Sequence, residues 1–262
     1  MKRLAALTAV GLLAGCASVP YENPDDPWES YNRTMFSINE GVDDALTKPL
    51  AKTYNAVTPL PVKTGVGNFF GNIGDVWIGA NNLMQGKGRD GLTDLGRVLI
   101  NSTIGIFGVF DVASEMGLDK HDEDFGQTLA VWGVPQGPYF VVPFFGPRTL
   151  RGAGALPVDW VASSFIQLSD IAARNATTGV KLVDQRYRLL GAERAVDQGS
   201  LDKYAYTRDF YLQRRRYEIF DGNPPRERFD DGASLNPAGL VMVEADEMAR
   251  DSLRFALVQP LR

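Results

Sequence analysis

The chain has 262 residues, with 27 Lys and Arg against 32 Asp and Glu for a formal charge of −5. No basic stripe interrupts this acidic balance, which argues against nucleic acid as a partner, because phosphate binding needs clustered positive charge. With a single cysteine there is no disulfide framework, and stability must come from packing.

The first element is a leader. Lys2 and Arg3 precede an apolar run from Leu4 to Leu13, and Leu13-Ala14-Gly15-Cys16 ends it with small residues before the cysteine. The run is too short to span a bilayer, and the pattern is that of a lipoprotein signal peptide over residues 1–15. It predicts cleavage before Cys16 and acylation of that thiol and of the new amino terminus. Buried acyl chain is worth ~0.8 kcal/mol per CH₂, so several chains together form a lasting membrane anchor. Residues 16–25 read as a lipidated tether, and 26–222 as one domain.

That domain opens at Asp26-Pro27-Trp28-Glu29, which reads as an Asp N-cap with Pro at the first helical position. Trp28, Tyr31, Met35, Ile38, Val42 and Leu46 then recur at helical spacing, predicting a core-facing stripe that ends at Lys48-Pro49. A short helix runs from Pro49 through Val57 until Thr58-Pro59 stops it. From Val62 to Gln85 the spacing stays helical despite Gly65, Gly67, Gly71, Gly74 and Gly79. Each glycine costs a helix up to ~1 kcal/mol, so this many predicts close backbone approach, with Gly71 and Gly74 as the expected crossing. After the turn at Gln85-Gly86-Lys87-Gly88, Leu92, Leu95, Val98 and Leu99 begin another helix.

Phe125 to Arg151 is interrupted by Gly and Pro every few residues, which predicts an apolar, irregular segment. Helical pattern returns from Val158 to about Leu190 with a break near Gly179, and again from Asp202 to Phe220. No period-two run is long enough for a substantial sheet. Residues 223–262 read as a partly disordered, mixed-charge tail with a weak amphipathic stretch through Leu240, Val243 and Met248. Beyond the leader no apolar stretch is long enough to span a bilayer.

Chemistry-bearing motifs are sparse. The only histidine, His121, lies in Lys120-His121-Asp122-Glu123-Asp124, where adjacent side chains cannot all converge on one ion, so no metal site is expected. Asp124 is better explained as an N-cap for a helix starting at Phe125. No nucleophile elbow is present, and Ser200-Leu201-Asp202-Lys203 reads as helix capping by Ser200, not as a Ser-x-x-Lys nucleophile. Neither catalysis nor a cofactor is expected.

Asp26-Pro27-Trp28-Glu29-Ser30-Tyr31-Asn32-Arg33-Thr34-Met35-Phe36-Ser37-Ile38-Asn39 resembles the opening motif of the MlaA/VacJ outer-membrane lipoproteins. Further blocks agree in order: Asn68-Phe69-Phe70-Gly71-Asn72; Asn82-Leu83-Met84-Gln85-Gly86-Lys87; Arg97 through Gly105 with Asp111; and Asp124 through Leu129 with Trp132-Gly133-Val134 and Gly137-Pro138-Tyr139. The departures are Trp28 for Leu, Ala130 for Gly, Arg148 for Ser and Gly152 for Asp. Ala17 after Cys16, where Asp would retain a lipoprotein at the inner membrane, is similar to an outer-membrane address.

The resemblance implies an all-α fold, a ring-like bundle of amphipathic, glycine-rich helices embedded in the membrane interface around a central channel. It implies an outer-membrane, lipid-anchored protein facing the periplasm that removes mislocalised phospholipid from the outer leaflet. A trimeric porin would stand beside it, and a periplasmic lipid carrier feeding an inner-membrane ABC transporter would receive the lipid. A charged head group needs polar wall among the apolar, so the candidate channel residues are Asn68, Asn72, Asn81, Asn82 and Asn101 with Phe69, Phe70, Trp77 and Ile104. Each asparagine has an equally good role in bonding backbone. The alternative function is a lipid-anchored scaffold that holds partners without conducting lipid.

Overall fold

The computed structural model describes residues 23–163 and 170–225; Cys16 and the tail from residue 226 lie outside them. The body is helical with one short hairpin. Helix α1 (Glu29–Val42) leads through a π-helical turn (Asp43–Thr47) directly into α2 (Lys48–Val57). Pro49 therefore does not break the chain where the sequence predicts a stop. It sits in the first turn of α2, and the wider π turn ahead of it accommodates a residue that cannot donate to the helical ladder. The break comes instead at Thr58, extended at φ −98° and ψ 123° before Pro59.

Helix α3 (Leu60–Met84) is continuous through all its glycines and turns at Gly86 into α4 (Gly88–Thr103), which returns antiparallel along it. The two backbones cross closely at Gly79 and Gly91. A Cβ on Gly91 would lie 2.9 Å from the Gly79 carbonyl oxygen, whereas a Cβ on Gly74 would meet nothing within 4 Å. The expected crossing at Gly71 and Gly74 is thus displaced two turns along the helix.

Two short helices follow, α5 (Val112–Glu115) and α6 (Phe125–Val131), the latter capped by Asp124, whose carboxylate accepts from the Gln127 amide at 2.8 Å. Strands β1 (Tyr139–Val142) and β2 (Gly146–Thr149) pair antiparallel with Tyr139 opposite Thr149. They supply the regular structure in a segment otherwise as irregular as its Gly and Pro content requires. Helices α7 (Leu150–Ala162), α8 (Ile171–Gly199) and α9 (Lys203–Ile219) complete the body. Gly179 does not interrupt α8. Ser200 closes α8 by donating to the Val196 carbonyl at 2.7 Å, and Asp202, not Ser200, caps α9.

Burial is inverted relative to a water-soluble domain. Six apolar residues are buried among the described residues, against eighteen polar or charged ones. The exterior carries the apolar side chains: Trp28, Tyr31, Ile38, Val42 and Leu46 are exposed, so the predicted stripe points outward except at Met35, which packs against the small apolar cluster at the hairpin. The buried face of α1 is that of Asn32. Its side chain donates to Asp26 (2.7 Å) and to the Tyr139 carbonyl (3.1 Å) and accepts from the Val141 amide (2.8 Å), stapling the hairpin to α1. Asp26 is correspondingly no N-cap; Trp28 occupies that position, and Asp26 is buried where Asn32, Tyr204 and Arg208 donate to it. A small apolar cluster of Tyr139, Val141 and Tyr204 sits at this junction. No helix among the described residues is long and apolar enough to cross a membrane.

Candidate functional site

A cavity of about 1350 Å³ opens between the first half of α3, the loop Ile104–Asp111, α5 and α8. It exceeds the roughly 300–1,000 Å³ of an ordinary small-molecule pocket. On α3 the apolar part of the wall includes Val62, Val66, Phe69 and Phe70, which share one helical face. Gly65 lets the opposite wall approach, since a Cβ there would come within 3.0 Å of Val109. Ala176, Thr177 and Val180 of α8 close the far side, and Thr64, Asn68, Asp111, Glu115 and Thr177 make the lining mixed.

The loop wall is held under backbone strain. Ile106, Phe107 and Gly108 are successive left-handed residues at φ 51°, 56° and 86°. For a non-glycine residue this costs ~1–2 kcal/mol, most acutely for a β-branched one. Surrounding bonds hold it: Asn68 donates to the Val109 carbonyl at 3.1 Å, and the Gly108 and Phe110 amides donate to Asn101 (2.7 Å) and Gly105 (2.9 Å) carbonyls. Gly108 is required twice over, for its positive φ and because a Cβ would lie 2.6 Å from the Asn72 side chain.

Behind the loop stands Arg97, buried to 1% exposure. It donates both Nη2 bonds to the Asp111 carboxylate (2.9 and 3.0 Å) and Nη1 bonds to Ser114 (2.9 Å) and the Leu118 carbonyl (2.6 Å). Burial alone would raise the Asp111 pKa, but bonds from Ser114, Asn101 and Arg97 outweigh it and hold the carboxyl at about 2. This end of the cavity therefore has a fixed, internally neutralised acid.

Of the nine candidate channel residues, Asn68, Phe69, Phe70 and Ile104 line the cavity. Asn72 and Asn101 lie behind the loop, where Asn72 donates to Ser102 (2.9 Å), and Asn101 donates to Asp111 and accepts from the Ala113 amide, both at 2.9 Å. The remaining three tie α3 to its neighbours. Trp77 donates its indole N–H to Asp159 of α7 at 2.8 Å, Asn81 accepts from Thr128 of α6 at 2.7 Å, and Asn82 donates to Asp94 of α4 at 2.8 Å. Burial lifts the Asp159 carboxyl above its ordinary range despite the Trp77 and Phe125 bonds.

Val109, Phe110, Glu115 and the α8 wall were not legible as site residues. Nothing local marks Ala176, Thr177 and Val180 as a wall, because the contact is made across more than a hundred residues of chain. His121 stands with Nδ1 3.0 Å from the Asp94 carboxylate, within hydrogen-bond distance. Asp43, Asp44 and Glu193 come together around Lys48 and Arg186, whose charges they neutralise.

Polar interior, apolar exterior and a large mixed-wall cavity define, among the described residues, a helical body whose outer surface suits an apolar medium. Residues 24–218 match the family model for the MlaA lipoprotein, and the chain belongs to that family. It is similar to the intermembrane phospholipid transport system lipoprotein MlaA of Shigella flexneri, 33% identical over 223 residues that cover 82% of this chain and 88% of that protein. The protein of the same description from Escherichia coli K12 is 32% identical over 225 residues, with the same coverage of 82% and 88%. A solved structure described as "Structural basis for maintenance of bacterial outer membrane lipid asymmetry" matches with a TM-score of 0.62 at 29% identity. It covers 76% of this chain and 99% of that one.

Proposed function

We propose that this protein is an outer-membrane phospholipid transporter, anchored through Cys16, which removes mislocalised phospholipid from the outer leaflet and passes it to a periplasmic carrier. In this reading the helices form a ring lying in the membrane interface, beside a trimeric porin, and an inner-membrane ABC transporter draws lipid from the carrier. The protein itself only lets lipid run downhill. The observation that carries the reading is the mixed-wall cavity set in a body with an apolar exterior: Phe69, Phe70, Ile104 and Phe110 suit acyl chains, while Asn68, Thr64 and Thr177 offer polar contact. A wholly apolar passage would leave a head group without hydrogen bonds, at a cost of several kcal/mol. The relatives described as phospholipid transport lipoproteins support the same assignment, and none of those is described as an enzyme.

The test is a photo-crosslinking amino acid placed at Phe70, in the cavity wall, and at Trp77, which is engaged with Asp159 instead. Phospholipid is expected on the probe at Phe70 and not at Trp77. Capture of protein alone at Phe70, with lipid captured at the outward-facing Ile38, would remove the cavity from the lipid path.

A further inference from the structure

From Ile104 to Phe110, seven consecutive residues carry no polar side chain. The loop they form serves two surfaces at once. Ile104, Val109 and Phe110 belong to the cavity wall, whereas Ile106 and Phe107 lie outside it with 59% and 76% of their surface exposed. Leu99, in the last turn of α4, is exposed as well, so the chain is already apolar on its outside before it enters the loop.

The backbone has little need of water. Six of the seven amides from Ile104 to Phe110 donate to carbonyls of the protein, among them Phe107 to Ser102 (3.1 Å), Gly108 to Asn101 (2.7 Å), Val109 to Ile106 (3.2 Å) and Phe110 to Gly105 (2.9 Å). Polar side chains at the base are closed in the same way. Asn68 donates to the Val109 carbonyl at 3.1 Å, the Thr103 hydroxyl to the Leu99 carbonyl at 2.7 Å, and Asn72 to the Ser102 hydroxyl at 2.9 Å. In water such a loop is free to relax its left-handed residues and let solvent bond its amides. Irregular backbone is excluded from hydrocarbon because its amides lack partners there; here the protein supplies them. The successive positive φ angles at Ile106 and Phe107 are the strain that comes with closing the backbone on itself.

We infer that this loop is the sill of the cavity: Ile106 and Phe107 lie among the acyl chains of the membrane, and the chains of a phospholipid pass laterally over them to Ile104, Val109 and Phe110 inside. This rests on the cavity being the lipid site and adds where lipid enters it. The outer face is covered by hydrocarbon and not by a soluble partner. A partner that came and went would leave these side chains in water between encounters, whereas acyl chains cover them throughout.

The experiment uses the full-length, lipidated protein in vesicles of phosphatidylethanolamine and phosphatidylglycerol. With a fluorescent amino acid in place of Phe107, lipids brominated at mid-chain should quench the emission more strongly than aqueous iodide does. Entry is then followed through a photo-crosslinking amino acid at Phe70 after labelled phospholipid is added to the vesicles. Phe107→Asn keeps a residue that accepts a positive φ but removes the phenyl group. It should slow lipid capture at Phe70 about tenfold, the scale of withdrawing one such group from hydrocarbon, with the final yield unchanged. Phe107→Leu should capture at a rate close to wild type. Iodide quenching equal to or above bromine quenching, or capture by Phe107→Asn at the wild-type rate, would overturn the sill while leaving the cavity as a lipid site. So would a loss of final yield in Phe107→Asn, which would make Phe107 part of the binding site and not of its entrance. Absence of lipid at Phe70 in wild type would overturn the cavity reading as well.

Discussion

Alanine at two glycines of α3 and α4 should have opposite effects. At both positions the methyl group improves helix propensity by up to ~1 kcal/mol. At Gly74 the added Cβ meets nothing within 4 Å, so that gain stands alone. At Gly91 it would lie 2.9 Å from the Gly79 carbonyl oxygen and 2.8 Å from Leu83 Cγ. Leu83 can rotate away, but the carbonyl belongs to the helix backbone and moves only if the axes part. Overpacking of this kind costs ~1–3 kcal/mol. Because the propensity gain is common to both variants, the difference between them isolates the clash, and for a body of this size it corresponds to about 2–12 °C in Tm. The assay is the loss of helical circular dichroism on heating, for wild type, Gly74→Ala and Gly91→Ala in one detergent. Gly74→Ala should melt at or above wild type and Gly91→Ala below Gly74→Ala by that interval. A Gly91→Ala protein that melts as high as Gly74→Ala would show that the helices do not cross where the geometry puts them.

Three further perturbations probe other parts of the molecule. Asn32→Ala leaves the buried Val141 amide and Tyr139 carbonyl without their side-chain partner, at ~1–3 kcal/mol for each unsatisfied group; protease cleavage in the hairpin should accelerate, and wild-type resistance would count against the staple. Because the Asp111 pKa is held at about 2, below the ordinary carboxylate value near 3.9, its contribution is present above that value and is lost as pH falls through 2. Asp111→Asn should therefore melt lower at neutral pH and lose less Tm between about pH 5 and pH 2 than wild type; parallel curves would refute this. Cys16→Ala should abolish labelling by palmitate and release the protein from the membrane fraction, and membrane retention at wild-type levels would place the anchor elsewhere.

The elements were largely legible because their boundaries are set by local chemistry: Thr58-Pro59, the Gly86 turn, the Asp124 cap and the limits of α9 fall where the residues put them. The orientation of α1 was not. Periodicity establishes that a helix has two faces, but which face turns inward depends on the surrounding medium, and the apolar stripe of Trp28, Ile38 and Leu46 is external here. Pro49 was misread for a different reason, since a π turn is not encoded by any strong local signal. A smaller part of the cavity wall could be read from the sequence, on α3, where Asn68, Phe69 and Phe70 are adjacent. The α8 side depends on a distant pairing that no local pattern announces.

The asparagines show why a residue type suited to a site need not be in it. A head group and a packed polar interior call for the same chemistry, and α3 serves both from different turns. Near its N-terminus Asn68 reaches the cavity; farther along, Asn81 and Asn82 are wholly buried and join α3 to α6 and α4. In the proposed membrane setting this use follows from the solvent. Apolar side chains gain little by leaving hydrocarbon, so association between helices rests on close packing at small residues and on polar pairs. The Gly79–Gly91 crossing and the Asn82–Asp94 bond supply one of each along the same pair of helices. Arg97 applies the same economy to the site, since one buried guanidinium fixes Asp111, Ser114 and the segment after α5 at Leu118 behind the strained loop.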